Sequence, residues 1–128
     1  MVQKYPICPE RIRKIPKQFS WVDHRLVRDH YVEHCSHQAA ALYLFLITVA
    51  DAQGLSYYAD RTISQRLDMD AHGLVQARKQ LLQIGLIAYK KPLYQVLSLD
   101  ASDHTPRRQN AQFQSLGQIL KQMAEKAT

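Results

Sequence analysis

The chain is poor in cysteine: Cys8 and Cys35 are the only two in 128 residues, and they do not form a CxxC pair. A disulfide framework is therefore not expected, and the usage fits a reducing compartment. Glycine is also scarce, at four residues, and no Gly-rich phosphate loop occurs. GxSxG and HExxH are absent, and no obvious paired carboxylates stand in for them. Asp68 and Asp70 lie close together in an expected turn, where capping accounts for Asp70 and solvation for Asp68. The expectation is a protein without enzymatic activity and without a cofactor. Long apolar runs are missing too. The longest spans residues 39–50, with one Thr, and falls short of the roughly 20 residues that cross a bilayer. No membrane partner is expected. The N-terminus carries charges and prolines where an export signal needs an apolar block, so the expected location is cytoplasmic.

What is present describes a folded protein. Hydrophobic residues make up 46% and charged residues 22%, enough apolar material for one core and too little charge for a disordered chain. No internal repeat interrupts that reading. Seventeen Lys and Arg against eleven Asp and Glu give a net charge of +6, which favours anionic partners without identifying one. Residues 1–20 hold five basic side chains against Glu10, a net +4, and residues 54–99 hold six against three, a net +3. Residues 21–53 hold two against four, a net −2, and residues 100–128 hold four against three, a net +1.

Helix and strand signals then order the chain. Pro6, Pro9 and Pro16 make residues 1–20 an extended basic arm, with Tyr5, Ile7, Ile12 and Ile15 available to pack. Asp23 is placed to cap a helix running to about His34 along a stripe of Leu26, Val27 and Tyr31. Ser36 is placed to cap the next, apolar nearly all round and expected at the centre of the fold, ending at Gly54. A short strand over residues 55–58 precedes a helix from near Asp60 that buries Ile63 and Leu67. Asp70 caps a further helix to Ile84, with Leu74, Ala77, Leu81 and Ile84 on the core side and Gly85 as its stop. Residues 86–89 and 93–99 flank the polar tip Lys90-Lys91-Pro92 as a hairpin. The divisions are arm 1–20, folded domain 21–99, linker 100–109 and a C-terminal amphipathic helix within 110–128.

The stretch YYADRTISQRLDMDAHGLVQARKQLLQIGLIAYKKPLYQVLSL, residues 57–99, with 36–54 as the preceding helix, resembles the winged helix-turn-helix family of bacterial DNA-binding proteins. Its most characteristic phrase is LLQIGLI, residues 81–87, where a helix ends in Gly before a β-run. The resemblance covers about half of the chain. It implies a mainly α fold with a small β-hairpin. It also implies sequence-specific binding of double-stranded DNA, as a transcriptional regulator or a replication or mobile-element accessory factor.

The chemistry of the residues is consistent with that implication. At about 100° per residue, His72, Gln76, Lys79, Gln80 and Gln83 fall opposite the core stripe. Gln pairs bidentately with adenine, and Lys donates to guanine or phosphate. Gly73 and Ala71 would let the backbone approach a duplex. Arg61, Ser64 and Arg66 suit phosphate contacts, Lys90 and Lys91 suit a wing touching an adjacent groove, and Arg11, Arg13, Lys14 and Lys17 suit an arm on phosphates or in a minor groove. The competing reading of each is a solvated face, and for the whole a docking module that binds protein instead of DNA. His24, His30, His34, Cys35 and His37 lie within fourteen residues. His30 and His34 would share a face on a helix, but no second cluster completes a ligand set, so no metal is expected. In the last segment Phe113, Leu116, Leu120, Met123 and Ala127 step by three and four. That seam is read as a homodimer surface, with packing on the chain's own core as the open alternative.

Overall fold

Local capping chemistry begins the two longest helices of the computed structural model, which describes residues 3–102. Ser36 sits in extended backbone and its Oγ accepts from the Ala39 N–H at 3.0 Å. From it runs helix α2 (His37–Val49), following a short helix α1 (Arg25–Arg28). Asp70 does the same for helix α4 (Ala71–Ile84), its Oδ1 accepting from Gly73 N–H at 2.7 Å. Such caps satisfy amides that have no partner inside the helix. Between them come strand β1 (Leu55–Tyr57) and helix α3 (Asp60–Leu67). After Gly85 follow β2 (Ile87–Lys90) and β3 (Leu93–Val96). The protein is mainly helical with one small antiparallel sheet.

The sheet differs from the expected two-stranded hairpin. Its order is β1-β3-β2, and β1 pairs with β3 through Leu55–Gln95, Ser56–Tyr94 and Tyr57–Leu93. The short strand over residues 55–57, to which the sequence assigned no partner, is thus an edge of the sheet. Flanking backbone bonds extend the pairing, from Val96 N–H to Gly54 O (2.8 Å) and from Tyr58 N–H to Pro92 O (3.2 Å). A Cβ on Gly54 would lie 2.7 Å from Val96 O, so this approach tolerates no side chain. β3 is shorter than expected, because the chain turns at Leu99–Ser102 into a 3-10 turn that buries Leu99.

Two helices also stop early. α2 ends at Val49, not at Gly54. Asp51 Oδ1 accepts from the N–H groups of Gln53 (2.8 Å) and Leu55 (3.0 Å), offering the backbone a turn in place of another helical step. α1 spans four residues instead of reaching His34. The cap position is His24, which supplies no side-chain cap, and not the expected Asp23. Asp23 Oδ1 accepts from the Arg25 N–H, two residues on, at 2.8 Å, and His30 takes a left-handed φ of +69° before a 3-10 turn at Val32–His34. Of its expected stripe only Leu26 is buried; Val27 is 69% exposed and Tyr31 is half-buried.

The core lies where α2, α4 and the sheet meet. Leu42, Leu46, Ile63, Leu74, Leu81 and Tyr94 are all sealed from solvent. Leu67 and Ile84 are half-buried at its edge. α2 is central as expected but is not enclosed all round, since Leu44 is 61% exposed. The N-terminal arm does not pack. Tyr5, Ile7, Ile12 and Ile15 are all exposed, Ile7 at 97%. Its three prolines have no amide to donate, and among the described residues its one side-chain hydrogen bond to the domain is Ser20 Oγ donating to Thr48 O at 3.5 Å. No helix among the described residues is long and apolar enough to cross a membrane. The C-terminal seam of Phe113, Leu116, Leu120 and Met123 lies outside the described residues.

Candidate nucleic-acid interface

A three-residue turn sets α3 against α4. Asp68 ends α3 in the left-handed region (φ +54°, ψ +51°), which Asp tolerates better than most residues, and Met69 N–H bonds back to Ser64 O at 3.1 Å. Asp70 then caps α4. The aspartate read as merely solvated therefore shapes the turn. α4 is held by Leu74, Ala77 and Leu81, each at most 1% exposed.

His72, Gln76, Lys79 and Gln83 are exposed along the opposite side of α4. Val75 and Leu82 flank them at 44% and 40% exposure, an apolar margin that the sequence reading missed. Gln80 departs from the expected stripe. It is half-buried, and its Oε1 accepts from the Ser36 N–H at the start of α2. Gly73 departs too. It is buried, and a Cβ there would meet the Gln38 side chain at 3.1 Å and Asp70 Oδ1 at 3.0 Å. Its missing side chain serves the close packing of α4 on α2, and not an approach from outside.

Arg61 and Arg66 are exposed on α3, while Ser64 is half-buried. Lys90 and Lys91 are exposed at the hairpin tip. Arg11, Arg13, Lys14 and Lys17 are exposed along the arm, and among the described residues none of their side chains makes a hydrogen bond or ion pair to α3 or α4. The structure thus groups the α3, α4 and hairpin residues on one packed unit, and the arm remains separate from it.

Arg78 joins that unit together, and the sequence reading assigned it no role. Its Nη1 donates to Asp60 Oδ1 on α3 at 2.8 Å and to the Tyr94 hydroxyl on β3 at 2.8 Å. The guanidinium carbon lies 4.3 Å from the centre of the Tyr89 ring on β2. Tyr89 and Tyr94 are themselves in ring contact at 4.5 Å. One side chain, only 12% exposed, therefore links both helices and both hairpin strands. Burial disfavours its charge, but the Asp60 carboxylate and the Tyr94 oxygen more than offset this, and its pKa is raised. Burial also raises the pKa of Tyr94. A signal was available: Arg78 sits about 60° around the helix from Leu81, on the border of the buried side, where an unpaired cation would be costly.

This pairing removes one charge of each sign and leaves the net +3 of residues 54–99 unchanged, carried by five basic side chains against Asp68 and Asp70. Asp60 is neutralised by Arg78, and Asp70 accepts from its own helix. Arg61, Arg66, Lys79, Lys90 and Lys91 stay exposed without an ion pair among the described residues. The outer surface of the unit is therefore cationic beside a stripe rich in amide side chains.

The histidine cluster is dispersed. His30 lies beyond the end of α1 and its Nδ1 is 2.8 Å from Glu33 Oε2, which raises its pKa through that hydrogen bond. His34 closes the following 3-10 turn, so the two do not share a helical face. Among the described residues no group of three or more His, Cys, Asp or Glu is arranged to hold a metal. Comparisons with protein-family models, with curated proteins and with solved structures find no match to this chain.

Proposed function

We propose that residues 21–99 form a winged helix-turn-helix domain that binds double-stranded DNA in a sequence-specific manner, with α4 as the recognition helix and the β2–β3 hairpin as the wing. The observation that carries this reading is the division of α4: Leu74, Ala77 and Leu81 are sealed in the core, while His72, Gln76, Lys79 and Gln83 stand exposed. In this reading Gln76 and Gln83 read base edges, and Lys79 contacts guanine or phosphate. Val75 and Leu82 suit contact with thymine methyl groups. Arg61 and Arg66 position the unit on phosphates, and Lys90 and Lys91 do so from the wing. Arg11, Arg13, Lys14 and Lys17 add an electrostatic arm that steepens the salt dependence. The protein acts inside the cell as a regulator or as an accessory factor of replication or a mobile element, without a catalytic step.

Binding to a random duplex pool and to duplexes enriched from it, measured by fluorescence anisotropy over a salt series, tests this. Tighter binding to the enriched duplexes, lost on Gln76→Ala, is expected. Equal failure on both pools at low salt overturns the reading. Val75 and Leu82 also favour a second reading, a docking surface for another protein. In that case Val75→Ser and Leu82→Ser abolish partner binding while Gln76→Ala and Lys79→Ala leave it intact.

A further inference from the structure

An apolar groove runs between α1 and α2, away from the residues assigned to DNA. Val22, Leu26, Val32, Leu44, Ile47 and Leu86 line it, and its volume is about 150 Å³. Small-molecule sites usually measure about 300–1,000 Å³, so this groove suits one or two large apolar side chains. Val22, Val32 and Leu44 are exposed along it. A helix that is apolar nearly all round is normally buried on every side, yet α2 leaves Leu44 61% exposed.

Where the described chain ends points to the occupant. The turn Leu99–Ser102 returns the backbone to α1, and Asp100 Oδ1 lies 2.6 Å from Arg25 Nη1. Arg25 immediately precedes Leu26 of the groove. From Ser102 the sequence continues for 26 residues. The seven residues 103–109 reach up to about 23 Å, more than the roughly 20 Å length of α2. Beyond them Phe113, Leu116, Leu120 and Met123 recur at the spacing of a helical face. Charge agrees: residues 103–128 carry four basic against two acidic side chains, a net +2, whereas residues 21–53 carry a net −2. Around α1 the acids Asp23, Asp29 and Glu33 pair with Arg25, Arg28 and His30, which leaves a local excess of one negative charge with His30 neutral. The N-terminal arm does not compete for the groove, because its apolar side chains stand exposed.

We infer that the segment 113–123 of the same chain docks in the α1–α2 groove, with Phe113, Leu116, Leu120 and Met123 facing Leu44 and Ile47. The seam then completes the domain's own core and is not a surface for a second copy. This inference is independent of DNA binding.

Disulfide trapping in the full-length chain tests it. In a Cys8→Ser, Cys35→Ser background, Leu44→Cys is paired in turn with Phe113→Cys, Leu116→Cys, Leu120→Cys or Met123→Cys, and with Gln118→Cys as the opposite-face control. At least one seam position is expected to form an intrachain link about fivefold more completely than Gln118→Cys, because docking raises the local concentration. Links only between chains identify a second copy as the occupant and overturn the proposal, as does a yield no higher than the control. Leu116→Glu in the otherwise native chain supplies a second measurement by hydrogen exchange. Amides of residues 40–47 are expected to exchange several-fold faster while those of 71–84 do not change; unchanged exchange over 40–47 also overturns the proposal.

Discussion

Helices α1 and α4 both begin beside an aspartate, yet one runs for 4 residues and the other for 14. Asp70 accepts from Gly73 N–H, three residues on, where a helix leaves its orphan amides. Asp23 accepts from Arg25 N–H, two residues on, and its carboxylate is also engaged by the Arg25 guanidinium, with Nη2 at 2.7 Å. The larger difference lies in what each helix buries. α4 seals Leu74, Ala77 and Leu81 against α2, α3 and the sheet, whereas α1 buries Leu26 alone. A cap offers a helix a start, and tertiary burial decides how far it continues.

The strongest challenge to that comparison is Leu81→Ala, which removes a fully buried side chain. A loss of about 2–5 kcal/mol is expected in denaturant unfolding. Val27→Ala on exposed α1 should stay within about 0.5 kcal/mol. Similar losses at the two positions would show that burial is not what separates the helices.

Next in size is Arg78→Ala, which leaves the Tyr94 hydroxyl and Asp60 without their shared donor. A loss of about 1.5–3 kcal/mol is expected, the range for hydrogen bonds to a charged group. On the proposed function it also weakens DNA binding, although Arg78 faces inward, because wing and recognition helix lose their common anchor. Arg78→Lys should not restore binding, since an ammonium lacks the planar fork. Full affinity in Arg78→Lys would remove Arg78 from this positioning role.

The two aspartates come third. Asp70→Ala should cost about 1 kcal/mol, and Asp23→Ala less, as measured by midpoint shifts at constant slope in urea. An equal or larger loss at Asp23 would reverse the ranking of the two aspartates. On the DNA side, Lys79→Ala should lower the slope of log affinity against log salt by about 1 if Lys79 meets a phosphate. An unchanged slope assigns it to a base edge or to no contact.

The smallest effect is one of pH. Hydrogen bonds from Arg25 hold the Asp23 carboxyl at about 2, below its ordinary 3.8. A depressed carboxylate stabilises the fold above the unfolded value, and that contribution is lost as pH falls through the folded one. The stability difference between the native chain and Asp23→Asn should therefore be constant near neutrality and shrink progressively between about pH 5 and about pH 1. A difference undiminished at pH 2 would mean the ion pair is not its source.

Residue spacing and chain-local chemistry made much of this protein legible. Ser36 and Asp70 as caps, Gly85 as a helix end, the stripe of Leu74, Ala77 and Leu81, and the hairpin around Lys90 and Lys91 all arise from interactions within a few residues. Such features depend little on the rest of the fold. Other features were decided only in three dimensions. β1 became a sheet edge because residues nearly forty positions later came to lie beside it. Gln80 turned to the Ser36 amide and Gly73 to Gln38 because α4 packs directly on α2. Arg78 acquired its role from Asp60, Tyr89 and Tyr94, which lie on three other elements. The cysteines and glycines, scarce as they are, divide the same way. Cys8 and Cys35 carry free thiols, whereas Gly54 became necessary only once the Val96 backbone had been brought against it. Local sequence sets torsions and caps; which partner fills the space beyond them is decided by packing among distant residues.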